Sequence, residues 1–314
     1  MSAFDDYYNC YPDYRGMPDD WELFWKNNIK ALKKIAIDPA IEKMGNTMNS
    51  SHNAFRVKYY GVESYKLIMN FYANRLKKRS PLIIYFPDYH SKESDFKEIL
   101  DEGFNLCVLQ LRGEREKEIE YQNLEKEKDK PESYGFFAEN LLNKDHYYMY
   151  YLYMDAVRTI DVIKLKNEFS TENIYLWGNG TGAAMALMAN YANGDIGKVF
   201  LQNPSFCYLD ETQNVSTSFY SKEINGYIKK NKNLKKTIKQ NLSYFDALYF
   251  AKKFQTPVAF GITMNSDEKN QSGAFALFHA IAADKKMFLY NEFVKSENKI
   301  SKIIGKDVIQ FFKN

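Results

Sequence analysis

Short apolar runs alternate with longer, partly amphipathic segments along the chain. The short runs are rich in β-branched and aromatic residues, which favours strands. Strands are predicted at eight places: Phe55–Tyr60, Leu67–Ala73, Leu82–Phe86, Leu106–Leu111, Ile174–Trp177, Lys198–Gln202, Pro257–Ile262 and Met287–Tyr290. Helices are predicted at Glu93–Glu102, Tyr147–Lys166, Gly182–Tyr191, Ser243–Lys253, Gly273–Ala282 and Ile303–Phe312.

This order of elements predicts an α/β fold. The first two strands are joined by the short segment Gly61–Lys66, which predicts a hairpin, and the later strands alternate with helices. Strands that are connected through helices usually lie parallel, in a sheet covered by helices on both faces. The pattern therefore favours the α/β-hydrolase fold, with about eight strands in a mostly parallel sheet.

The chain is predicted to form one α/β-hydrolase-type domain over residues 1–314. Residues 1–52 precede the first predicted strand and are expected to form an N-terminal extension. Residues 114–146 begin with a highly charged stretch, which indicates a surface insert. Residues 208–242 follow the sixth strand, where this fold often carries a cap or lid, and are predicted to be a cap-like insert.

The segment Ile174–Ala183 contains the most informative motif. A predicted strand runs through a glycine turn, Gly178-x-Gly180-x-Gly182, directly into a helix of small residues. In α/β-hydrolases a turn of this kind carries G-x-S-x-G, and its strained central serine is the nucleophile. Gly180 has no side-chain oxygen. The motif therefore predicts the geometry of a nucleophile elbow without the group that attacks.

A second interpretation of the same turn is a dinucleotide-binding fingerprint. Gly178-x-Gly180-x-x-Ala183 fits G-x-G-x-x-G/A, and it lies between a strand and a helix. The acidic residue expected at the end of the next strand is absent, because that strand ends at Gln202 and Asn203. About four strands also precede the motif, whereas the fingerprint usually follows the first strand. A nucleotide-binding module remains an alternative.

Six further motifs follow one another along the chain in the same order as in one known protein family. They are Tyr14-x-Gly16-x-Pro18 with Trp21–Trp25, Phe86–Tyr89 in place of a His-Gly-Tyr run, Arg112-Gly113-Glu114, Tyr147–Arg158, Asn203–Phe206 and Leu242–Asp246. With these motifs the chain resembles the acetyl xylan esterase and cephalosporin C deacetylase family of carbohydrate esterases. The resemblance implies an α/β-hydrolase fold and, often, a ring-like hexamer, so we expect a homo-oligomer.

The resemblance also implies a Ser-His-Asp triad, whose three positions are changed in this sequence. The serine position is Gly180, the acid position is Met264 or Asn265, and the histidine position lies near Lys295. Asp267 would serve as the acid only in a remodelled loop. Because loss of one triad member lowers the rate by about four to six powers of ten, we expect a catalytically inactive member with no catalytic residue.

The oxyanion-hole donors implied by the resemblance are retained. They are the backbone N–H groups of Tyr89 and Thr181, which can bind a carbonyl or carboxylate oxygen without reacting with it. Together with Gly180 and with His90 at the pocket mouth, they form the predicted ligand-binding site. Asp88 and His90 also form a candidate acid–base pair, although the sequence does not fix its geometry.

These features predict a pseudoenzyme that binds a small acylated or carbohydrate ligand or a protein partner. The main alternative is a carboxylic ester hydrolase, a deacetylase, that uses residues other than those of the family. Thr181 carries a hydroxyl, but one position after the elbow we expect it to point away from the path of a nucleophile.

Composition limits the kinds of partner, compartment and cofactor that we expect for this protein. The 314 residues carry a net charge of +3, which does not indicate nucleic acid or an anionic membrane as a partner. Cys10, Cys107 and Cys207 are odd in number and widely spaced, which favours a reducing compartment. No signal peptide or metal-ligand spacing is found, so we expect a soluble, cytoplasmic protein without a cofactor.

Overall fold

The central feature of the fold is a nine-stranded, mostly parallel sheet. A computed structural model of the chain describes residues 8–45, 50–77, 79–91, 95–113, 135–165, 169, 173–209, 218–264, 271–291 and 297–314. Its strands are β1 Ala40–Lys43, β2 His52–Tyr60, β3 Lys66–Asn74, β4 Leu82–Phe86, β5 Asn105–Gln110, β6 Ile174–Asn179, β7 Lys198–Gln202, β8 Val258–Met264 and β9 Lys285–Asn291. Their order in the sheet is β1-β2-β3-β5-β4-β6-β7-β8-β9.

The direction of the strands follows from their connections. Neighbouring strands are antiparallel in the first part of the sheet, β1-β2-β3-β5, and the pair β2-β3 is the predicted hairpin. Neighbouring strands are parallel in the rest of the sheet, β5-β4-β6-β7-β8-β9. Every residue of β4 is buried, as expected for a central strand covered on both faces. This arrangement confirms the predicted α/β-hydrolase fold.

Helices cover both faces of the sheet. They are α1 Trp21–Leu32, α2 Lys97–Asp101, α3 Tyr148–Leu165, α4 Thr181–Ala192, α5 Phe219–Lys230, α6 Lys235–Leu242, α7 Gln271–Ala280 and α8 Glu297–Lys313. Alternate residues of β4 enter different cores, because successive strand side chains point to opposite faces. Ile84 packs in the core that contains α3 and α4, and Ile83 packs in the core that contains α2 and α8.

All eight predicted strands are present, and the ninth, β1, was not predicted. Its side chains are mostly exposed at the edge of the sheet, so it lacks the apolar run that marks a buried strand. The predicted helix Ser243–Lys253 is two stretches of 3₁₀-helix, Ser243–Phe245 and Ala247–Lys253. The extended residue Asp246 separates them and caps the second stretch by accepting a hydrogen bond from the backbone N–H of Leu248.

Two helices of the predicted cap-like insert lie on the core. α5 buries Tyr220 and Ile224, and α6 buries Ile238 and Leu242. Their opposite faces are rich in lysine, and this pattern matches an amphipathic surface helix. In the part of the chain that the structure describes, no helix is both long enough and apolar enough to cross a membrane.

Candidate active site

Gly180 forms the turn between β6 and α4. Its backbone has φ +55° and ψ −119°, a conformation that is costly for residues with a Cβ. A Cβ on Gly178 would lie 2.3 Å from the carbonyl oxygen of Gly182, and a Cβ on Gly182 would lie 2.0 Å from that of Phe86. Strand and helix therefore pack backbone against backbone, in the strand–turn–helix geometry that the motif predicts.

The carboxylate of Asp88 fills the space beside this turn. Asp88 lies in the loop that follows β4, and a Cβ on Gly180 would lie 2.0 Å from its Cγ and 2.2 Å from each carboxylate oxygen. A serine at position 180 would place its side chain in this same volume. Glycine at position 180 therefore meets two demands, the left-handed backbone and the room for a neighbouring carboxylate.

The donors that were predicted to bind a ligand bind Asp88 instead. Its Oδ1 accepts hydrogen bonds from the backbone N–H of Thr181 at 2.8 Å and from that of Tyr89 at 2.9 Å. The hydroxyl of Thr181 also donates to Oδ1, at 2.9 Å. The occupant of the predicted oxyanion hole is thus a carboxylate of the chain itself, placed at the positive end of α4.

The two oxygens of Asp88 differ in their surroundings. Oδ1 accepts three hydrogen bonds, whereas the structure gives Oδ2 no donor among the described residues. Burial raises the pKa of Asp88, and the hydrogen bonds from Thr181 and Tyr89 partly oppose that change. The residue as a whole is half-buried by its accessible surface.

The hydroxyl of Thr181 is enclosed. Thr181 is fully buried, and its Oγ1 donates to Asp88 while it accepts a hydrogen bond of 3.1 Å from the backbone N–H of Tyr89. A proton acceptor therefore lies next to a hydroxyl at this turn, an arrangement that was not predicted from the sequence. The side chain is nevertheless held inward by both contacts.

Helix α5 is hydrogen-bonded through Glu223 to the loop of residues 87–91 after β4, which we call the pocket loop. The hydroxyl of Tyr89 donates to Oε1 of Glu223 at 3.1 Å, and the backbone N–H of Phe137 donates to Oε2 at 2.9 Å. The backbone N–H of Phe136 donates in turn to the hydroxyl of Tyr89 at 3.2 Å. The cap-like insert and the loop that carries Asp88 are thus joined by one carboxylate, and sequence reasoning did not identify this residue.

His90 is exposed in the loop that follows β4. Its ring lies 3.9 Å from the ring of Tyr89 and 5.5 Å from that of Phe219, centroid to centroid. Its backbone is left-handed, with φ +57°. The imidazole makes no hydrogen bond to Asp88 in the structure, so the two residues do not form the candidate acid–base pair of the sequence analysis.

Of the other predicted triad positions, the structure describes Met264. Met264 is the last residue of β8, is half-buried and pairs with Asn291 at the end of β9. Asn265, Asp267 and Lys295 lie outside the described residues. Where the structure describes the chain, no three or more His, Cys, Asp or Glu side chains are grouped as a metal site.

The remaining histidines lie away from this pocket. His52 is buried on β2 and its Nε2 lies 2.9 Å from the carbonyl oxygen of Phe104. His146 contacts Glu63, and His279 stacks on Tyr11. Since the chain has four histidines in all, His90 is the only one on the pocket loop.

Comparison with known proteins gives a consistent family. A family model described as acetyl xylan esterase (AXE1) matches residues 4–314. The chain is 20% identical over 298 residues to the acetyl esterase Axe7A of Xylanibacter ruminicola. That match covers 88% of this chain but 63% of the relative, so the chain spans less than two thirds of that protein's length.

Two solved structures resemble the whole chain in fold. The acetyl xylan esterase from Paenibacillus sp. R4 has a TM-score of 0.81 at 18% identity, with 99% of each chain covered. Acetyl xylan esterase 1 from Thermoanaerobacterium sp. JW/SL YS485 has a TM-score of 0.80 at 14% identity, with 99% of this chain and 98% of that chain covered. At these identities the likeness concerns the fold.

Proposed function

The chain belongs to the acetyl xylan esterase family, and we propose that it is a member that binds a partner or ligand without hydrolysing acyl esters. The observation that supports this proposal most directly is the position of Asp88. Its carboxylate fills the space beside Gly180 and accepts hydrogen bonds from the backbone N–H groups of Tyr89 and Thr181. A substrate carbonyl would need those same two N–H groups.

Acyl transfer to an enzyme requires an attacking atom, a base and donors for the developing oxyanion. At this turn Gly180 offers no attacking atom, and the donors already hold a negative charge. A second negative oxygen would have to form within hydrogen-bond distance of the first, which is electrostatically unfavourable in a buried site. Losing even one such donor typically lowers kcat by about 10²–10³.

The positions of the histidines support the same proposal. A serine or threonine hydroxyl becomes nucleophilic when an adjacent base accepts its proton. The sequence has no histidine after His279, and the ring of His90 packs at a tilt against the ring of Tyr89 and makes no hydrogen bond to Asp88. No imidazole is therefore placed to activate a hydroxyl at the turn.

We propose that binding takes place at the surface beside the loop that carries Asp88. The ring of Phe219 is 58% exposed there, next to the exposed His90. Exposed rings of this kind suit a small acylated or carbohydrate ligand, or the apolar centre of a protein contact. A homo-oligomer in a reducing, cytoplasmic environment is part of this proposal, and the odd number and wide spacing of the three cysteines in the sequence support the redox state.

The proposal is tested by an esterase assay with p-nitrophenyl acetate and with acetylated xylan. We expect the purified protein to release no more product than buffer does. We also expect Gly180→Ser to remain inactive, because neither a base nor a free oxyanion hole would be restored. Steady turnover that persists through successive purification steps would contradict the proposal.

Hydrolysis through Thr181 is a second candidate function. It is favoured by one observation, the 2.9 Å contact in which the hydroxyl of Thr181 donates to Asp88. If turnover is found, Thr181→Val distinguishes this candidate, because valine keeps the shape of the side chain and removes only the hydroxyl. Abolition of the rate by this change would support a Thr181 nucleophile, and an unchanged rate would exclude it.

A further inference from the structure

The unequal environment of the two Asp88 oxygens suggests a different chemistry for this site. Oδ1 is fixed by the backbone N–H groups of Thr181 and Tyr89 and by the hydroxyl of Thr181. Oδ2 has no hydrogen-bond donor among the described residues and lies on a residue that keeps part of its surface accessible. A carboxylate oxygen that is not hydrogen-bonded has an available lone pair, and the three contacts on Oδ1 hold the group in one orientation.

The same contacts that oppose acyl transfer leave alkyl transfer open. Attack on an acyl carbon creates a negative oxygen on the substrate, which needs donors that Oδ1 already uses. Attack on a saturated carbon creates no such oxyanion at the carbon attacked. We propose that Oδ2 of Asp88 is a nucleophile toward saturated carbon electrophiles, with small epoxides as the substrate class.

The reaction forms one bond and breaks one. A lone pair of Oδ2 attacks an epoxide carbon, the new O–C bond forms, and the ring C–O bond breaks with its electron pair on the departing oxygen. That alkoxide takes a proton from water and leaves hydroxide. The product is a β-hydroxyalkyl ester of Asp88, in which Oδ1 becomes the ester carbonyl oxygen and keeps its contacts with Thr181 and Tyr89.

Release of the alkyl group would require water to attack Cγ of the ester. The donors on Oδ1 are positioned for the negative oxygen that such an attack creates. None of the four histidines hydrogen-bonds to Asp88, so no imidazole is placed to activate that water. The ester therefore accumulates, and the reaction is best measured as a single covalent addition.

This inference does not depend on the loss of esterase activity. Hydrolysis of p-nitrophenyl acetate and alkylation by an epoxide are separate measurements, and either result can fail without the other. Turnover through Thr181 would overturn the proposed function and leave the reactivity of Asp88 to be decided by its own experiment.

The test is incubation of the full chain with 1,2-epoxybutane, followed by peptide mapping with mass spectrometry. We expect one added epoxide on the peptide that contains Asp88, formed at least about tenfold faster than on Asp195, because a carboxylate held in one orientation reacts faster than one that rotates freely in solvent. Asp195 is a suitable internal reference, since its side chain is 85% exposed.

Two variants make the result specific. Asp88→Asn keeps an oxygen for the three donors and removes the carboxylate, so the fast addition should disappear while the thermal melting curve stays cooperative. Asp195→Asn is the matched control and should leave the addition at Asp88 unchanged. If Asp88 reacts no faster than Asp195, or if Asp88→Asn protein is labelled at the rate of the unchanged protein, the proposal is wrong.

Discussion

At the scale of single residues, Gly180 and Asp88 are fitted to each other. The backbone at position 180 is left-handed, and the volume that a Cβ would enter is filled by the Asp88 carboxylate. Each residue thus explains the other, because any side chain at position 180 would have to expel the carboxylate from three hydrogen bonds. This pairing makes a prediction about stability that is separate from any activity.

Gly180→Ser is expected to lower the free energy of unfolding by about 3 kcal/mol, from backbone strain together with overpacking against Asp88. Asp88→Gly in the same chain should restore part of that loss, because it removes the atoms that lie 2.0–2.2 Å from the new Cβ. Urea denaturation of both single variants and the double variant measures the coupling between the two positions. Strictly additive losses would contradict a direct steric conflict.

The sequence identifies part of this site and omits its centre. Tyr89 and Thr181 are found because the family resemblance implies their backbone N–H groups as oxyanion-hole donors. In the sequence, Asp88 is identified only as a candidate acid–base partner of His90. The role of Asp88 beside Gly180 could not be predicted, because no local sequence pattern indicates that a loop carboxylate packs against a turn 92 residues further along the chain.

At the scale of elements, the strands were predictable and the cap was not. A buried strand such as β4 is apolar along its whole length, so its signal lies within the strand. The helices α5 and α6 have polar, lysine-rich outer faces and few buried side chains. Where those side chains pack depends on the core beneath them, which the local sequence does not specify. The contact of α5 with the pocket loop depends on Glu223, which accepts hydrogen bonds from Tyr89 and from the backbone N–H of Phe137, both distant from it in sequence.

Glu223→Gln is expected to loosen the attachment of α5. An amide has one accepting oxygen, so either the hydroxyl of Tyr89 or the backbone N–H of Phe137 loses its acceptor, at a cost of about 1–2 kcal/mol. Hydrogen exchange at the backbone amide of Phe137 should become faster. Lys222→Gln, an exposed change on the same helix, should leave that exchange rate unaltered; equal effects from both variants would argue against the contact.

At the scale of the whole molecule, one buried ion pair connects distant parts of the fold. Arg112, just after β5, forms two hydrogen bonds of 2.7 and 2.6 Å with Asp155 in the middle of α3. The guanidinium lies between the rings of Tyr65 and Tyr151, 4.4 and 4.5 Å from their centroids. The hairpin, the sheet and the longest helix therefore meet at a single charged contact.

Breaking this pair should cost far more than replacing it. Asp155→Asn leaves a buried, unmatched guanidinium, because Arg112 is only 8% exposed, and is expected to lower the free energy of unfolding by about 3–5 kcal/mol. Arg112→Met combined with Asp155→Leu removes both charges and should recover most of that loss, since neither member of the pair is then left as an unmatched ion. Urea denaturation of the single and double variants measures the difference. A double variant as unstable as Asp155→Asn would mean that the pair holds the hairpin, sheet and helix together by its own attraction, and that the cost does not arise from the unpaired charge.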